Sequence, residues 1–173
     1  SDISRIVSSS TEEMEAMLMS LQSFLRAQHM TADAADVDLV AMVRDLLASL
    51  PGETSLDAPP VALTRTYREP LLLALTPLIE NALQYGERAR VTIGGQDSHW
   101  RIEIADDGPG IPEDCFDAVL DPFFRLDSSR ARNTAGFGLG IPTAHRLLQR
   151  FGGRLSFRNG GPGLIACVDV PTA

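Results

Sequence analysis

Apolar residues near the start of the chain recur at intervals of three and four positions. Over residues 11–27 this spacing predicts one amphipathic helix, with Ser10 or Thr11 as its N-terminal cap. The apolar stripe of this helix consists of Met14, Met17, Leu18, Leu21, Phe24 and Leu25. Residues 31–38 supply few apolar partners and are interpreted as a linker. We therefore expect the stripe to contact another helix, either in a partner subunit or in a segment missing from this chain.

The rest of the chain alternates between helical and extended patterns. Helical spacing predicts three more helices, over residues 39–50, 69–85 and 140–151. Apolar and polar residues alternate in five predicted strands, over residues 61–66, 91–93, 100–105, 154–157 and 164–170. Two hairpins are expected, one turning at Gly94-Gly95 and the other at Asn159-Gly160-Gly161. This order of elements predicts an α/β two-layer sandwich, in which a mixed β-sheet is covered on one face by helices.

The pattern divides the chain into two units. Residues 1–36 form the N-terminal helix and linker, and residues 37–173 form the predicted α/β domain. A hydrophobic share of 44% and a charged share of 22% are ordinary for a soluble globular protein. The apolar runs are too short to span a bilayer, so we expect no membrane contact by this segment. The net charge of −8 argues against nucleic-acid binding.

The basic residues limit how this protein could hold phosphate. All fifteen are Arg, and the chain contains no Lys. This excludes a Walker-type phosphate lysine, so any phosphate must be held by backbone amides, a metal ion and Arg side chains.

A first glycine cluster, residues 106–111, follows the predicted strand 100–105 with the sequence Asp-Asp-Gly-Pro-Gly-Ile. A partly buried carboxylate on Asp106 could accept a hydrogen bond from an exocyclic amine. Gly108 and Gly110 carry no Cβ atom and could leave room for a planar ring against the backbone. Taken alone, the same residues could form only a tight turn.

A second cluster, residues 136–140, precedes the predicted helix 140–151. Its sequence is Gly-Phe-Gly-Leu-Gly, and Pro142 suits the first turn of the helix because no amide hydrogen is needed there. Amide groups at a helix start attract anionic oxygens. A flexible hinge is an alternative interpretation and is compatible with the first.

Asn81 stands near the end of the predicted helix 69–85. Its amide oxygen is a hard, neutral ligand that suits Mg²⁺ bound mainly by phosphate oxygens and water. An Asn in this position could also simply satisfy local backbone groups.

The long segment 113–135 carries Arg125, Arg130 and Arg132. Such a segment suits a mobile lid whose Arg side chains reach a β- or γ-phosphate, anchored in an apolar pocket by Phe123 and Phe124. A solvated surface role would explain each of these Arg residues equally well. None of the three His residues precedes the acidic residue and Pro typical of a phosphoacceptor, so we expect no catalytic His in this chain.

Taken in order, these motifs resemble the catalytic and ATP-binding domain of a bacterial two-component sensor histidine kinase. This domain belongs to the gyrase, chaperone, kinase and mismatch-repair ATPase superfamily. Residues 78–82 resemble the N box, residues 106–111 the first glycine box, residues 121–125 the F box and residues 136–140 the second glycine box. Residues 1–36 resemble the second helix of the dimerisation-and-phosphoacceptor hairpin, whose phosphorylated His lies on the first helix and is not in this chain.

The resemblance implies ATP and Mg²⁺ as cofactors, with Asn81 as the metal ligand. The implied nucleotide-binding residues are Asn81, Tyr85, Asp106, Gly108, Gly110, Ile111, Phe124, Gly136, Phe137, Gly138, Leu139 and Gly140. Asn81, Arg125 and Arg130 are the implied catalytic residues. The implied reaction moves the γ-phosphoryl group of ATP to a His on the hairpin, and then to an Asp of a response regulator. The resemblance also implies a homodimeric full-length protein, anchored in the bacterial inner membrane, with this domain in the cytoplasm.

Some residues depart from the family pattern. Pro77 stands where a further Asn is usual, Gln84 replaces a basic residue, and Ala135 replaces the leading Gly of the second glycine box. Two alternatives are therefore kept: a nucleotide-binding pseudokinase or regulatory interaction module, and an anti-sigma-type serine kinase. The serine kinases place a catalytic Glu at position 77, and Pro77 cannot act as a base.

Overall fold

The computed structural model describes residues 1–124 and 138–172. The first element, α1, spans Asp2–His29 and is 28 residues long. It begins nine residues before the predicted start, and its cap is Ser1, whose side chain accepts a hydrogen bond from the amide of Ser4 at 3.3 Å. The predicted cap at Ser10 or Thr11 is wrong. Thr11 lies inside the helix and donates its hydroxyl to the carbonyl of Val7 at 2.9 Å.

The predicted linker contains a strand. Strand β1, Ala35–Asp38, pairs antiparallel with β3, Leu63–Thr66. Asp38 also caps α2, Leu39–Ser49, because its Oδ1 accepts the amides of Val40 and Ala62, both at 3.1 Å. This strand exists through pairing with residues nearly thirty positions away, which the local pattern does not show.

The main sheet has five strands in the order β2-β4-β5-β7-β6. They are β2, Glu53–Asp57; β4, Arg88–Gln96; β5, His99–Asp106; β6, Arg154–Asn159; and β7, Leu164–Asp169. β2 pairs parallel with β4, and the other neighbours pair antiparallel, so the sheet is mixed as predicted. Strand β2 was not predicted from the sequence.

The hairpin between β4 and β5 turns later than predicted. Gly94 and Gly95 lie inside the ladder, opposite Arg101 and Trp100. The turn falls at Asp97, which adopts a left-handed conformation with φ 51°. Asp tolerates this conformation better than most residues, so the turn forms there and the two glycines continue the strand.

Helices pack on one face of the sheet, which confirms the predicted two-layer sandwich. The two principal helices are α3, Arg68–Tyr85, and α4, Gly140–Phe151, which is closed by Gly152 in a left-handed conformation. The core between the layers contains Leu71, Leu75, Ile79, Ile102, Ile104, Leu147 and Leu148. Because side chains alternate along β5, Asp106 faces the same side as Ile102 and Ile104. The strand therefore directs a carboxylate toward the helical layer.

Among the described residues, the C-terminal end of α1 makes the close contacts with the α/β body. The Arg150 guanidinium donates to the carbonyls of Ala27 at 2.8 Å and Met30 at 2.9 Å, and Arg26 forms an ion pair with Glu69. Farther up the helix, apolar side chains remain exposed, including Met14 at 67% and Leu18 at 57%. No helix among the described residues is long and apolar enough to cross a membrane.

Candidate functional site

Asp106 ends β5 and is 4% exposed. Its Oδ1 accepts the backbone amides of Gly108 at 2.9 Å and Leu164 at 3.2 Å. These two bonds stabilise the ionised carboxylate and fix its orientation. A carboxylate has lone pairs for about four hydrogen bonds, so the two amide contacts are compatible with a further bond to a ligand amine.

The glycines that follow Asp106 are required by close backbone contacts. A Cβ atom on Gly108 would stand 2.4 Å from the carbonyl oxygen of Tyr85, at the end of α3. Gly110 has φ +72°, and its Cβ atom would stand 2.7 Å from the side-chain oxygen of Asn159. The turn thus packs directly on α3 on one side and on the end of β6 on the other. The sequence showed the need for glycine here but not these contacts.

Asp107 fixes the same turn to the beginning of β4. Its Oδ1 accepts the amides of Arg88 at 3.2 Å and Glu87 at 2.7 Å. These hydrogen bonds, first the one from Arg88, hold the pKa of Asp107 below its usual value. A Cβ atom on Gly86 would stand 2.5 Å from this carboxylate oxygen, so the contact also depends on glycine. This role of Asp107 was not predicted from the sequence.

Asn159 fixes the far end of the turn. Its Oδ1 accepts the amide of Ile111 at 3.1 Å, and its Nδ2 donates to the carbonyl of the same residue at 2.6 Å. From the sequence, Asn159 was expected only at the start of a hairpin turn. The Ile111 side chain is 8% exposed and packs in a small apolar cluster with Val119 and Leu164. The buried Ile111 side chain therefore anchors the end of the first glycine turn in the protein interior.

Asn81 lies on α3 between two buried positions, Ile79 and Ala82, and is itself half-buried. The structure gives its side-chain amide no hydrogen-bond partner among the residues that it describes. The alternative role, satisfying local backbone groups, is therefore not observed in this part of the chain. No group of three or more acidic, His or Cys side chains among the described residues could hold a metal ion. One amide oxygen fits a cation that binds mainly phosphate and water.

The second glycine cluster meets the F box. Gly138 has φ +74°, and its Cβ atom would stand 2.7 Å from the Cα atom of Phe123. The amide of Phe123 donates to the carbonyl of Gly138 at 2.9 Å. Phe123 is 57% exposed and Phe124 36% exposed, so the expectation that these rings fill an apolar pocket is wrong for this structure.

Helix α4 begins at Gly140 without a capping side chain. Its N-cap residue, Leu139, is 2% exposed and packs in the interior, so any contact of Leu139 with a ligand would come from its backbone. The carbonyl of Leu139 accepts both the amide of Thr143 at 2.9 Å and its hydroxyl at 2.6 Å. The other predicted site residues, Arg125, Arg130, Gly136 and Phe137, lie outside the described residues.

Helix α3 brings the two glycine clusters together. Pro77, Asn81 and Tyr85 are four positions apart and lie on one face of the helix. Pro77 contacts Gly140, with 3.3 Å between its Cβ atom and the Cβ position of the glycine, while the Tyr85 carbonyl contacts Gly108. Asn81 therefore faces the space between the two clusters. A ring-and-anion ligand could bind there with its ring near Asp106 and its charged end near the start of α4.

Known proteins have sequences similar to that of this chain. Residues 66–172 match the family described as histidine kinase-, DNA gyrase B- and HSP90-like ATPase. The sensor protein PfeS of Pseudomonas aeruginosa is 36% identical over 106 residues, which is 60% of this chain and 23% of PfeS. The sensor histidine kinase GtrS of the same species is 39% identical over 82 residues, or 47% of this chain and 16% of GtrS. The chain thus spans about a fifth of the length of these relatives.

Solved structures share the fold. Full-length ShkA in complex with AMPPNP has a TM-score of 0.80 and 20% identity, covering 100% of this chain and 39% of that one. The mycobacterial sensor histidine kinase MprB has a TM-score of 0.69 and 22% identity, covering 80% of this chain and 97% of that one. The Acinetobacter baumannii histidine kinase AdeS has a TM-score of 0.71 and 20% identity, covering 97% and 83%. These findings confirm the resemblance to sensor histidine kinases, and the chain belongs to the family of histidine kinase-, DNA gyrase B- and HSP90-like ATPases.

Proposed function

We propose that this chain is the ATP-binding catalytic domain of a sensor histidine kinase. The observation that carries the proposal is the arrangement of α3, on which Asn81 faces the space between the Asp106 turn and the start of α4. Each of these three features suits a different part of Mg²⁺-ATP. Membership of the ATPase family and the 36% identity with PfeS support the same function.

Different residues of the chain bind different parts of Mg²⁺-ATP. Asp106 accepts a hydrogen bond from the exocyclic amine of adenine, and its bonds from the amides of Gly108 and Leu164 keep the carboxylate aligned. The uncapped start of α4 at Gly140 attracts the phosphate oxygens through its amides and helix dipole. Asn81 supplies one oxygen ligand to Mg²⁺, which when bound neutralises charge on the phosphates. Arg125 and Arg130 remain predicted contacts to the β- or γ-phosphate.

The acceptor of the γ-phosphoryl group would be a His on a helical hairpin. The exposed apolar stripe of α1 suits packing against the other helix of that hairpin. From this His the phosphoryl group would pass to an Asp of a response regulator, in a full-length homodimer anchored in the inner membrane with this domain in the cytoplasm. Positioning and charge neutralisation would supply most of the catalysis.

A nucleotide-binding pseudokinase is the second candidate, and Pro77 is the observation that favours it. Pro77 has no side-chain oxygen, so Asn81 would hold the cation without a second ligand from the preceding turn of α3. Binding would persist through the adenine and phosphate contacts, while correct placement of the γ-phosphoryl group would suffer.

Two measurements test the proposal. Calorimetric titration of the chain with ATP, with and without Mg²⁺, should show binding that Mg²⁺ strengthens. The chain should then be mixed with a hairpin fragment that carries the phosphoacceptor His, together with γ-labelled ATP. Label on the hairpin supports the kinase, and Mg²⁺-ATP binding without label supports the pseudokinase. No binding of ATP under either condition would refute both.

A further inference from the structure

The hairpin between β6 and β7 forms hydrogen bonds with both ends of the first glycine turn, residues 106–111. Leu164, at the start of β7, donates its amide to Asp106 at 3.2 Å, and Asn159, at the end of β6, binds Ile111. Asp106 and Ile111 are the two ends of the turn. The ends are thus fixed by one hairpin whose own turn is closed by a hydrogen bond from the Gly160 amide to the Gly163 carbonyl at 2.8 Å.

We propose that Asn159 is a positioning residue for adenine recognition. It holds the turn 106–111 in the shape that presents the Asp106 carboxylate to the purine. The inference rests on the proposed function, since it assigns Asn159 to the same nucleotide site. Asn159 itself contacts no ligand in this proposal and acts through Ile111 and Gly110.

The chemistry of the side chain supports this role. Asn159 binds both backbone groups of Ile111, accepting from its amide at 3.1 Å and donating to its carbonyl at 2.6 Å. A carboxamide carries a donor and an acceptor in one plane, whereas an ionised carboxylate can only accept. The paired bonds therefore fix the backbone direction at Ile111 in a way that Asp or Ala at position 159 cannot reproduce.

Close backbone packing restricts the turn 106–111 at Asp106 and at Gly110. Gly163 has φ +90°, and a Cβ atom there would stand 1.8 Å from the carbonyl oxygen of Asp106. Gly110 lies against the Asn159 oxygen, at 2.7 Å from its Cβ position. Asp106 is held against Gly163, so loss of the Asn159 bonds loosens the backbone at Ile111, the second end of the turn. A shift there changes the positions of Gly108 and Gly110 relative to the carboxylate.

Because Asn159 is exposed, its effect on the nucleotide site can be measured apart from its effect on folding. Asn159 lies at the surface, at the end of an edge strand, so its bonds compete with water and their loss has a limited effect on global stability. Arg154, at the opposite end of the same strand, is also exposed and pairs with Asp169, whereas Asn159 pairs with Leu164. Arg154→Gln is therefore a matched control for changes on β6.

The experiment compares Asn159→Ala, Asn159→Asp and Arg154→Gln with the unmodified chain. Calorimetry measures the Kd of each for ATP and for inosine triphosphate, which carries an oxygen in place of the exocyclic amine. Both Asn159 variants should bind ATP about tenfold more weakly, the equivalent of one lost hydrogen bond. Their preference for ATP over inosine triphosphate should shrink, while Arg154→Gln keeps both. Hydrogen exchange at Gly108, Gly110 and Ile111 should accelerate in the Asn159 variants alone.

The possible negative results distinguish failure of the positioning role from failure of the proposed function. If the unmodified chain binds ATP and the Asn159 variants keep its affinity and base preference, the positioning role is refuted while the proposed function stands. Equal losses for ATP and inosine triphosphate, in proportion to a lower unfolding temperature, also refute it, because they indicate a general structural defect. If the unmodified chain binds neither nucleotide, the proposed function fails and the inference fails with it.

Discussion

Pro77 contacts Gly140 across the packed helices α3 and α4, with 3.3 Å between its Cβ atom and the Cβ position of the glycine. This distance is short, so a larger residue than Gly at the start of α4 would press on the proline ring. Pro77 has no amide hydrogen, and the carbonyl of Leu73 therefore lacks its helical partner. One position earlier, the Thr76 hydroxyl donates to the carbonyl of Leu72 at 2.7 Å. Helix α3 continues through Pro77 to Tyr85.

Replacing Pro77 separates its effect on the helix from its effect on the cation. Pro77→Ala and Pro77→Asn both restore the hydrogen bond to Leu73 and keep the Cβ atom that lies beside Gly140, so each should stabilise the chain by up to about 3 kcal/mol. Only Asn adds an oxygen ligand one turn before Asn81. Denaturant unfolding measures the first effect, and titration with Mg²⁺-ATP measures the second. Tighter binding in Pro77→Asn than in Pro77→Ala would show that the missing ligand limits affinity, and equal binding would show that the site compensates elsewhere.

Asp106→Asn tests the adenine contact with little change of shape. The Asn oxygen can still accept the amides of Gly108 and Leu164, but its NH₂ group cannot accept from the amine of adenine. A hydrogen bond to a charged group contributes about 1.5–3 kcal/mol, so ATP affinity should fall roughly tenfold to a hundredfold. Calorimetry with ATP measures this loss, and inosine triphosphate is the control ligand because it lacks the amine. Unchanged ATP affinity would contradict the assignment of Asp106.

Gly108→Ala tests the contact between the first glycine turn and α3. The added Cβ atom would stand 2.4 Å from the Tyr85 carbonyl oxygen, and this backbone atom cannot move aside alone. We expect a loss of stability of about 2 kcal/mol together with weaker ATP binding. Gly95→Ala is the matched control, since nothing lies within 4 Å of its Cβ position. Similar unfolding midpoints for the two variants would show that the turn and α3 are not held in contact.

Most of the fold could be predicted because its elements carry their own periodic signals. The core-facing residues of α3 and of β5 follow helical and alternating spacing, and Gly152 marks the end of α4 by its left-handed conformation. β1 and β2 were missed for a different reason. Glu53–Asp57 has a pattern of alternating exposed and partly buried residues with no large apolar run. It becomes a strand by parallel pairing with β4, more than thirty residues later.

The candidate site, like the fold, contains residues that could be predicted from the sequence and residues that could not. Asp106, Gly108 and Asn81 could be predicted as site residues because their neighbours form contiguous motifs. Asp107 and Asn159 were missed because their partners lie 19 to 48 positions away in the chain. The sequence shows both residues only in a local context: Asp107 follows Asp106, and Asn159 precedes two glycines. Such residues are common in turns, so sequence alone could not show which distant backbone groups they hold.

Asp169 makes the stability of the sheet depend on pH. Its carboxylate accepts from Arg101 Nε at 2.8 Å and lies 3.0 Å from His99 Nε2. Burial acts to raise its pKa, but the hydrogen bonds from Arg101 and His99 outweigh this effect and leave the pKa below its usual value. A lowered folded-state pKa means that the unfolded chain takes up a proton first as the pH falls. The stabilisation is therefore present above the ordinary Asp pKa of about 3.9 and is lost below it.

Unfolding by urea at several pH values checks this dependence. The midpoint for the unmodified chain should fall as the pH drops below about 4. Asp169→Asn should be less stable at neutral pH by about 1–2 kcal/mol, because it loses the charged partner of Arg101, and its midpoint should fall less steeply in acid. Asp36→Asn is the control, since that carboxylate is 85% exposed beside Arg65. Parallel acid profiles for the unmodified chain and Asp169→Asn would contradict the assignment.

Thr66 offers a route to a more stable domain. Its side chain is completely buried on β3, and its hydroxyl has no hydrogen-bond partner among the described residues. Burying an unsatisfied hydroxyl has a cost, and Val keeps the branched shape that strands favour. Thr66→Val should therefore raise the free energy of unfolding by about 1 kcal/mol. Thr64→Val, on the same face of the strand but partly exposed, should change it by less than about 0.5 kcal/mol. Destabilisation by Thr66→Val, measured by thermal and urea unfolding, would show that the hydroxyl is satisfied in solution.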